Sequence, residues 1–234
     1  MKLALLGYPI KHSLSPSLYR EFLGDKLHNY DLLEFENPKL IPSLDTLALK
    51  YDGINITSPY KRHFFSQVQV HSEIVKKLGA INTISFTDAG IFGTNTDVDA
   101  VASILGDFNA SYGEINLILL GSGVMAVLTK ILAQHLNLPL VQYSRSNGDS
   151  LSELDLTAQA SAQTIIINAC SRDFEFKGKL NSSHIFWDYN YKLIPHQNTL
   201  PSQVRQYIDG EEMLRRQAQA AIKFWAETSL KLKC

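Results

Sequence analysis

The chain has 234 residues, room for one large domain or two small ones. With 22 Lys plus Arg against 23 Asp plus Glu, a net charge of -1, 45% hydrophobic and 19% charged residues, its composition is that of an ordinary folded protein. This argues against disorder and against a broad basic surface for nucleic acid, so an anion recognised here is held by a local site. Two cysteines, Cys170 and Cys234, form neither a CxxC nor a zinc set with the seven scattered histidines. No metal is expected, and a reduced cytoplasmic setting fits. The apolar run after Met1 stops at Gly7, and Ile115 to Leu120 and Ile165 to Ile167 fall far short of the roughly 20 residues of a membrane helix. Neither a leader nor a membrane partner is expected.

In chain order the periodicity predicts a strand at 2–7, a helix near 16–27, a strand at 30–35, a helix near 38–49 and a strand at 52–57. This βαβαβ rhythm predicts a parallel sheet. A helix near 71–78 ends at Gly79, strands follow near 81–86 and 90–94, and a further helix starts after Asp97, whose carboxylate suits an N-cap. The polar stretch from Gly106 to Glu114 separates this block from the next, with a linker at about 97–114 in which the helix itself is the connector. The second block has strands at 116–120, 139–143, 164–168 and 184–188, a helix at 124–136 and a long helical segment at about 211–231. No internal repeat is visible.

Strand 116–120 runs into GSGVMA, residues Gly121, Ser122, Gly123, Val124, Met125 and Ala126. Gly121, Gly123 and Ala126 satisfy GxGxxG/A between a strand and a helix. The glycines allow a tight turn and close approach of backbone to a pyrophosphate, the small residue lets helix and strand touch, and the helix N-terminus faces the phosphates. The plainer alternative is a structural strand-to-helix turn. After the next strand an NAD site presents an acidic residue and an NADP site an arginine. Here no carboxylate precedes Asp149, whereas Arg145 is flanked by Ser144 and Ser146, which favours NADP(H) and a 2′-phosphate contact. A solvated loop arginine is the bland reading.

In the first block HSLSPS, NITSPYK, GAINT and GTNTD follow at strand ends, where open parallel sheets bind ligands. Their hydroxyls, amides, one lysine and one aspartate are candidates to converge on a small polyhydroxylated molecule. Each has a plain reading: Ser15 before Pro16 as a helix N-cap, Asn55 and Thr57 as strand terminators, Lys61 as a solvated lysine. Their recurrence is what those readings leave unexplained.

GYPIKHSLSP, GINITSPYK, LGAINT and GTNTD, then GSGVMA, SRS, NACS, DYNY and DGEEMLRRQ, resemble the shikimate dehydrogenase family in that order, from residue 7 to the C-terminal helix. The resemblance implies an α/β protein with an N-terminal open α/β substrate domain and a Rossmann-like dinucleotide-binding domain with a parallel sheet. Residues 1–97 with 211–234 would form the substrate and catalytic domain, and 98–210 the NADP domain, with the active site in a cleft between them. The implied reaction is reversible NADPH-dependent reduction of 3-dehydroshikimate to shikimate.

Carried over, the family pattern makes Ser13 and Ser15 partners of the substrate carboxylate, with Tyr191 close by. Asn55, Thr57, Lys61, Asn82, Asp97 and Gln217 would hold ring hydroxyls, Lys61 and Asp97 would handle the proton, and Gly210 would lie near the nicotinamide. The chain departs from the family where Tyr19 and Arg20 replace His-Asn, where Val124 and Met125 stand in the glycine loop, and where a second basic residue for the 2′-phosphate is missing. Among the matched residues Lys61 is the only cationic acid, able to stabilise an oxyanion and donate a proton. Asp97 would orient it, the two titrating as a unit. A paralogue using quinate or NAD, and a sensor that binds ligand without turnover, are the alternatives. A small-molecule substrate is the expected partner, with the chain a monomer or homodimer.

Overall fold

The structure is a computed structural model and describes residues 1–159 and 163–230, so Cys234 and the last predicted helical residue, 231, lie outside the described residues. The elements run β1 (Lys2–Gly7), α1 (Ser15–Leu23), β2 (Asn29–Glu34), α2 (Leu44–Ala48), β3 (Gly53–Ile56), α3 (Glu73–Leu78), β4 (Thr83–Thr87), β5 (Gly90–Thr94), α4 (Thr96–Tyr112), β6 (Asn116–Leu120), α5 (Val124–His135), β7 (Leu140–Tyr143), β8 (Thr164–Asn168), β9 (Ile185–Asp188), α6 (Ile194–Thr199), β10 (Gln206–Ile208) and α7 (Glu211–Leu230). They fall into two compact units, residues 1–100 with 215–234 and residues 101–214, whose boundaries lie inside α4 and α7.

The first unit is built on a five-stranded sheet in the order β2-β1-β3-β4-β5. β1 lies between β2 and β3 and is nearly continuously apolar, as a strand covered on both faces must be. It pairs in parallel with β2 and β3, the arrangement that the alternation of strands and helices predicts. The remaining strands correct that picture: β4 runs antiparallel to β3, and β5 antiparallel to β4. Only Asp88 and Ala89 separate β4 from β5, too few for a crossover, so the chain makes a hairpin. Trp225 of α7 lies buried against this sheet, its indole N–H donating to the Ile84 carbonyl at 2.9 Å.

Local chemistry explains where other expectations fail. The helix expected over 38–49 is a 3-10 turn at Pro38–Leu40 and the short α2, because Pro42 interrupts it and Ser43 starts a new helix by accepting from the Thr46 N–H. Ser15 is not an N-cap; Leu14 holds that position, and the Ser13 hydroxyl instead accepts from the Ser15 N–H at 3.2 Å. Asp97 is not one either, since α4 begins at Thr96 and the Asn95 side chain accepts from the Asp97 N–H at 3.2 Å. The polar stretch after Gly106 continues α4 as far as Tyr112.

The second unit has a wholly parallel sheet in the order β10-β9-β8-β6-β7. Read in chain order within the unit this is 2-1-3-4-5, a doubly wound order whose switch point lies between β6 and β8. β10 and α6 were not expected; three residues are too few to show a period. Connections are lean: α5 links β6 to β7, whereas residues 169–184 between β8 and β9 contain no helix. Buried Ile118, Leu120, Ile166, Phe176 and Phe186 form much of the core. Among the described residues no helix is long and apolar enough to cross a membrane, and no group of His, Cys, Asp or Glu is placed to hold a metal ion.

Candidate functional site

In the first unit the hairpin reversal assembles the polar cluster. Asn55 pairs with Thr83, and Thr83 with Thr94, so the end of β3, the start of β4 and the end of β5 meet at one edge. The GAINT segment therefore reaches the site from the beginning of its strand, not from its C-terminal end. The Ile81 N–H donates to the Lys61 carbonyl at 2.7 Å and holds that loop beside the same edge.

Here Lys61 Nζ stands 2.6 Å from Asp97 Oδ2, with the two side chains 15% and 9% exposed. Such a short, mostly buried contact is a charge-assisted hydrogen bond. Beside it Asn82 is locked in one orientation. Its Oδ1 accepts from the Thr96 N–H (2.8 Å), and the Thr83 and Thr96 hydroxyls lie 3.0 and 3.2 Å away. A backbone N–H can only donate, so the amide cannot flip; Nδ2 is turned away from these donors.

Asn55 is held as firmly. It receives the Tyr30 hydroxyl proton at Oδ1 (2.9 Å) and donates from Nδ2 to Thr83 Oγ1 (3.1 Å) and the Asn82 carbonyl (3.4 Å). Gln217, on α7 and buried, has its Oε1 3.3 Å from Thr96 Oγ1. Thr96 has one hydroxyl proton, which serves either the Asn82 or the Gln217 oxygen. Ser13 is half-buried and Ser15 buried, in the first turn of α1. Thr57 is half-buried, its N–H donating to the Leu6 carbonyl at 2.9 Å. Burial raises the Tyr30 phenol well above its ordinary range, with Tyr19 adding to the effect and Ser15 opposing it.

The second unit contains the remaining candidates, Tyr191 and Gly210 among them. Gly121 has φ +113, and a Cβ there would press on the Ala169 carbonyl at 3.1 Å, so the turn out of β6 needs glycine. At Gly123, the N-cap of α5, a Cβ would meet nothing within 4 Å, which leaves open space at the helix N-terminus. Ser122 is exposed, Val124 and Met125 are half-buried, and Ala126 is fully buried. At the end of β7 the Ser144 and Ser146 hydroxyls are 2.8 Å apart beside exposed Arg145. In the same loop the Asp149 carboxylate accepts from the Ser144 N–H at 2.7 Å.

Burial raises the Cys170 thiol to about 11, against the pull of Arg145, so it is no thiolate at neutral pH. The Tyr191 carbonyl accepts from Arg172 Nη1 at 2.8 Å, and that guanidinium lies over the Tyr191 ring at 5.1 Å. Gly210 packs so tightly that a Cβ would lie 2.3 Å from the Tyr189 carbonyl oxygen.

Thr96, Thr83 and Tyr30 were not singled out from sequence. The threonines lie inside the GTNTD and GAINT segments, which is a usable signal; Tyr30 lies on a strand with none.

A polar cluster at one end of the first sheet and a glycine turn leading into a helix at a parallel switch point of the second define an α/β protein of two sheet-based units. Residues 5–84 match the family model described as shikimate dehydrogenase substrate binding domain. A shikimate dehydrogenase (NADP(+)) of Clostridium beijerinckii is 35% identical over 55% of this chain and 49% of its own length. The chain spans about half the length of the curated relatives that it matches above 30% identity. One from Oceanobacillus iheyensis is 27% identical over 98% of this chain and 94% of its own. In fold, the chain is similar to the shikimate dehydrogenase structure from Thermotoga maritima, with a TM-score of 0.73 and 22% identity over 97% of this chain and 94% of that one.

Proposed function

We propose that this chain is an NADP-dependent shikimate dehydrogenase, an oxidoreductase that interconverts 3-dehydroshikimate and shikimate. The observation that carries the reading is the Lys61–Asp97 contact of 2.6 Å beside the fixed amides of Asn55 and Asn82. The first unit would bind the polyol: Ser13 and Ser15 toward its carboxylate, and Asn55, Thr57, Asn82 and Gln217 toward its hydroxyls, with Tyr191 of the second unit assigned to the carboxylate by family resemblance. In the reducing direction Lys61 Nζ stabilises the charge developing on the carbonyl oxygen and gives that oxygen its proton, while Asp97 holds the ammonium in place.

The second unit fits a dinucleotide. Open space over Gly123 at the start of α5 suits a pyrophosphate, and Arg145 with the Ser144 and Ser146 hydroxyls suits a 2′-phosphate. Gly210 is assigned to the nicotinamide end. NADP, when bound, supplies or accepts the hydride. Asp149 favours a second reading, since its carboxylate stands in the loop where NAD enzymes carry an acid for the ribose. We place the protein in the cytoplasm, as a monomer or homodimer.

The test is a steady-state assay of NADPH formation from shikimate. Saturable turnover with NADP, and slower turnover with NAD, is the expected result. Preference for NAD would shift the reading to Asp149; binding of shikimate without turnover would make the chain a sensor.

A further inference from the structure

Gln142 lies outside the GSGVMA segment, yet its side chain reaches the turn that begins there. From β7, where it stands opposite Leu119 of β6, it donates from Nε2 to the Gly121 carbonyl at 2.7 Å. A carbonyl only accepts, so the orientation of this amide is settled. The Gly121 N–H is bonded to the same strand, at the Tyr143 carbonyl and 2.9 Å. In a continued parallel ladder the next bond, to the Gly121 carbonyl, would come from the Arg145 N–H. That residue has already left the strand for a 3-10 turn over Arg145–Asn147. The Gln142 side chain therefore supplies one ladder bond beyond the end of β7.

This bond fixes a peptide plane. The Gly121–Ser122 peptide is trans, so its N–H points opposite to its C=O, and β6 has β7 on one side and β8 on the other. With the Gly121 carbonyl held toward β7, the Ser122 N–H faces the β8 side, where the strand order reverses. Ser122 is exposed, and its N–H has no acceptor among the described residues. Gly121, at φ +113, has no side chain to restrict rotation of that plane. A rotated plane would aim a carbonyl, not an N–H, into the crevice.

We propose that Gln142 is a positioning residue for dinucleotide binding: by holding the Gly121 carbonyl it keeps the Ser122 N–H turned toward the crevice as a donor to a pyrophosphate oxygen. The proposal rests on the NADP reading of the second unit. A role confined to tying the edge strand β7 to β6 would instead affect every ligand of the unit alike.

The test compares wild type with Gln142→Met, which keeps the length of the side chain and removes the donor, by calorimetric titration. The probes are NADP and adenosine 2′-monophosphate, which carries the 2′-phosphate but no pyrophosphate. Kd for NADP should rise about five- to tenfold, while Kd for adenosine 2′-monophosphate should not change, and the unliganded variant should unfold only slightly below wild type. Gln142→Val, a strand former that also lacks the donor, should repeat the result. Unchanged NADP affinity overturns the proposal and leaves the NADP reading intact. Equal weakening of both probes also overturns it, as does loss of the folded state in both variants, since the residue would then serve the fold alone. Failure of wild type to bind NADP removes that reading, and the proposal with it.

Discussion

Removing one member of the Lys61–Asp97 pair should be more damaging than removing both. At 2.6 Å the attraction between unit charges is about 6 kcal/mol for an effective dielectric constant of about 20. Most of this is offset by the cost of taking both groups out of water, so the net worth of the pair is small. A single substitution abolishes the attraction but leaves one charge largely buried. Lys61→Met strands the Asp97 carboxylate and should cost about 3 kcal/mol, the low end for a broken buried pair because some solvent access remains. Asp97→Asn takes away the ammonium's charged partner but keeps an acceptor oxygen, so its cost should be smaller, about 2 kcal/mol. The double variant strands nothing and should be no less stable than Lys61→Met. Trp225 reports on the first unit and Trp187 on the second, so denaturant titrations followed by fluorescence in a Trp187→Phe background isolate the unit concerned. Costs that add within about 0.5 kcal/mol would refute the reasoning. In turnover all three variants should lose about 10² to 10⁴ in kcat, the double no more than the worse single. Retention of a tenth of wild-type kcat by Lys61→Met would remove its assigned role.

Thr96→Val deletes the hydroxyl shared by the Asn82 and Gln217 oxygens without changing shape; KM for shikimate should rise about fivefold with kcat nearly unchanged, and Thr96→Ser should restore it. A valine variant with wild-type KM would show that the hydroxyl positions nothing. Arg145→Ala should raise KM for NADP about tenfold or more and leave that for NAD alone; equal weakening of both would point to a general structural effect. His184 is buried, and burial lowers its pKa from 6.5. Its Nδ1 accepts from the Asn181 N–H at 3.2 Å, so the folded protein holds it neutral. Below pH 6.5 the unfolded chain takes up the proton first, and stability should fall with falling pH by up to about 1.4 kcal/mol per pH unit, down through the lowered folded value. Above the unfolded value this contribution is constant. Denaturation between pH 5 and 8 should show His184→Gln lacking that slope; identical pH profiles for variant and wild type would count against it.

What could be read from sequence divides along physical lines. The glycine turn after β6 was legible because every requirement is local: a buried strand, φ +113 at Gly121 and a helix start within three residues. The polar segments were legible as a recurrence. Their assembly was not, because a two-residue turn between β4 and β5 reverses the chain, and which end of a strand faces the site depends on that reversal. Both capping expectations failed through competition between neighbours: Asn95 stands two residues ahead of Asp97, Ser13 two ahead of Ser15, and in each pair the earlier residue receives the N–H. Such contests are decided by the backbone angles of three or four residues, which residue type only biases.

Long-range partners explain the rest. Thr96 matters because α7, over a hundred residues later, brings Gln217 to it, and because β4 brings Asn82. Tyr30 matters because β2 and β3 flank β1 and place its hydroxyl on Asn55. Together these contacts form a chain of hydrogen bonds from β2 through β3 and β4 to α4, in which each amide has a fixed donor end and acceptor end. That polarity is a chemical constraint on the ligand. Asn82 turns Nδ2 away from its three donors, Asp97 offers carboxylate oxygen and Lys61 offers N–H, so a ligand bound among them meets both donors and an acceptor. A hydroxyl can use both, while a carbonyl is matched only to the N–H donors. The donor face that Asn82 presents is therefore set by the Thr96 N–H, a backbone group that substitution of the Thr96 side chain leaves in place.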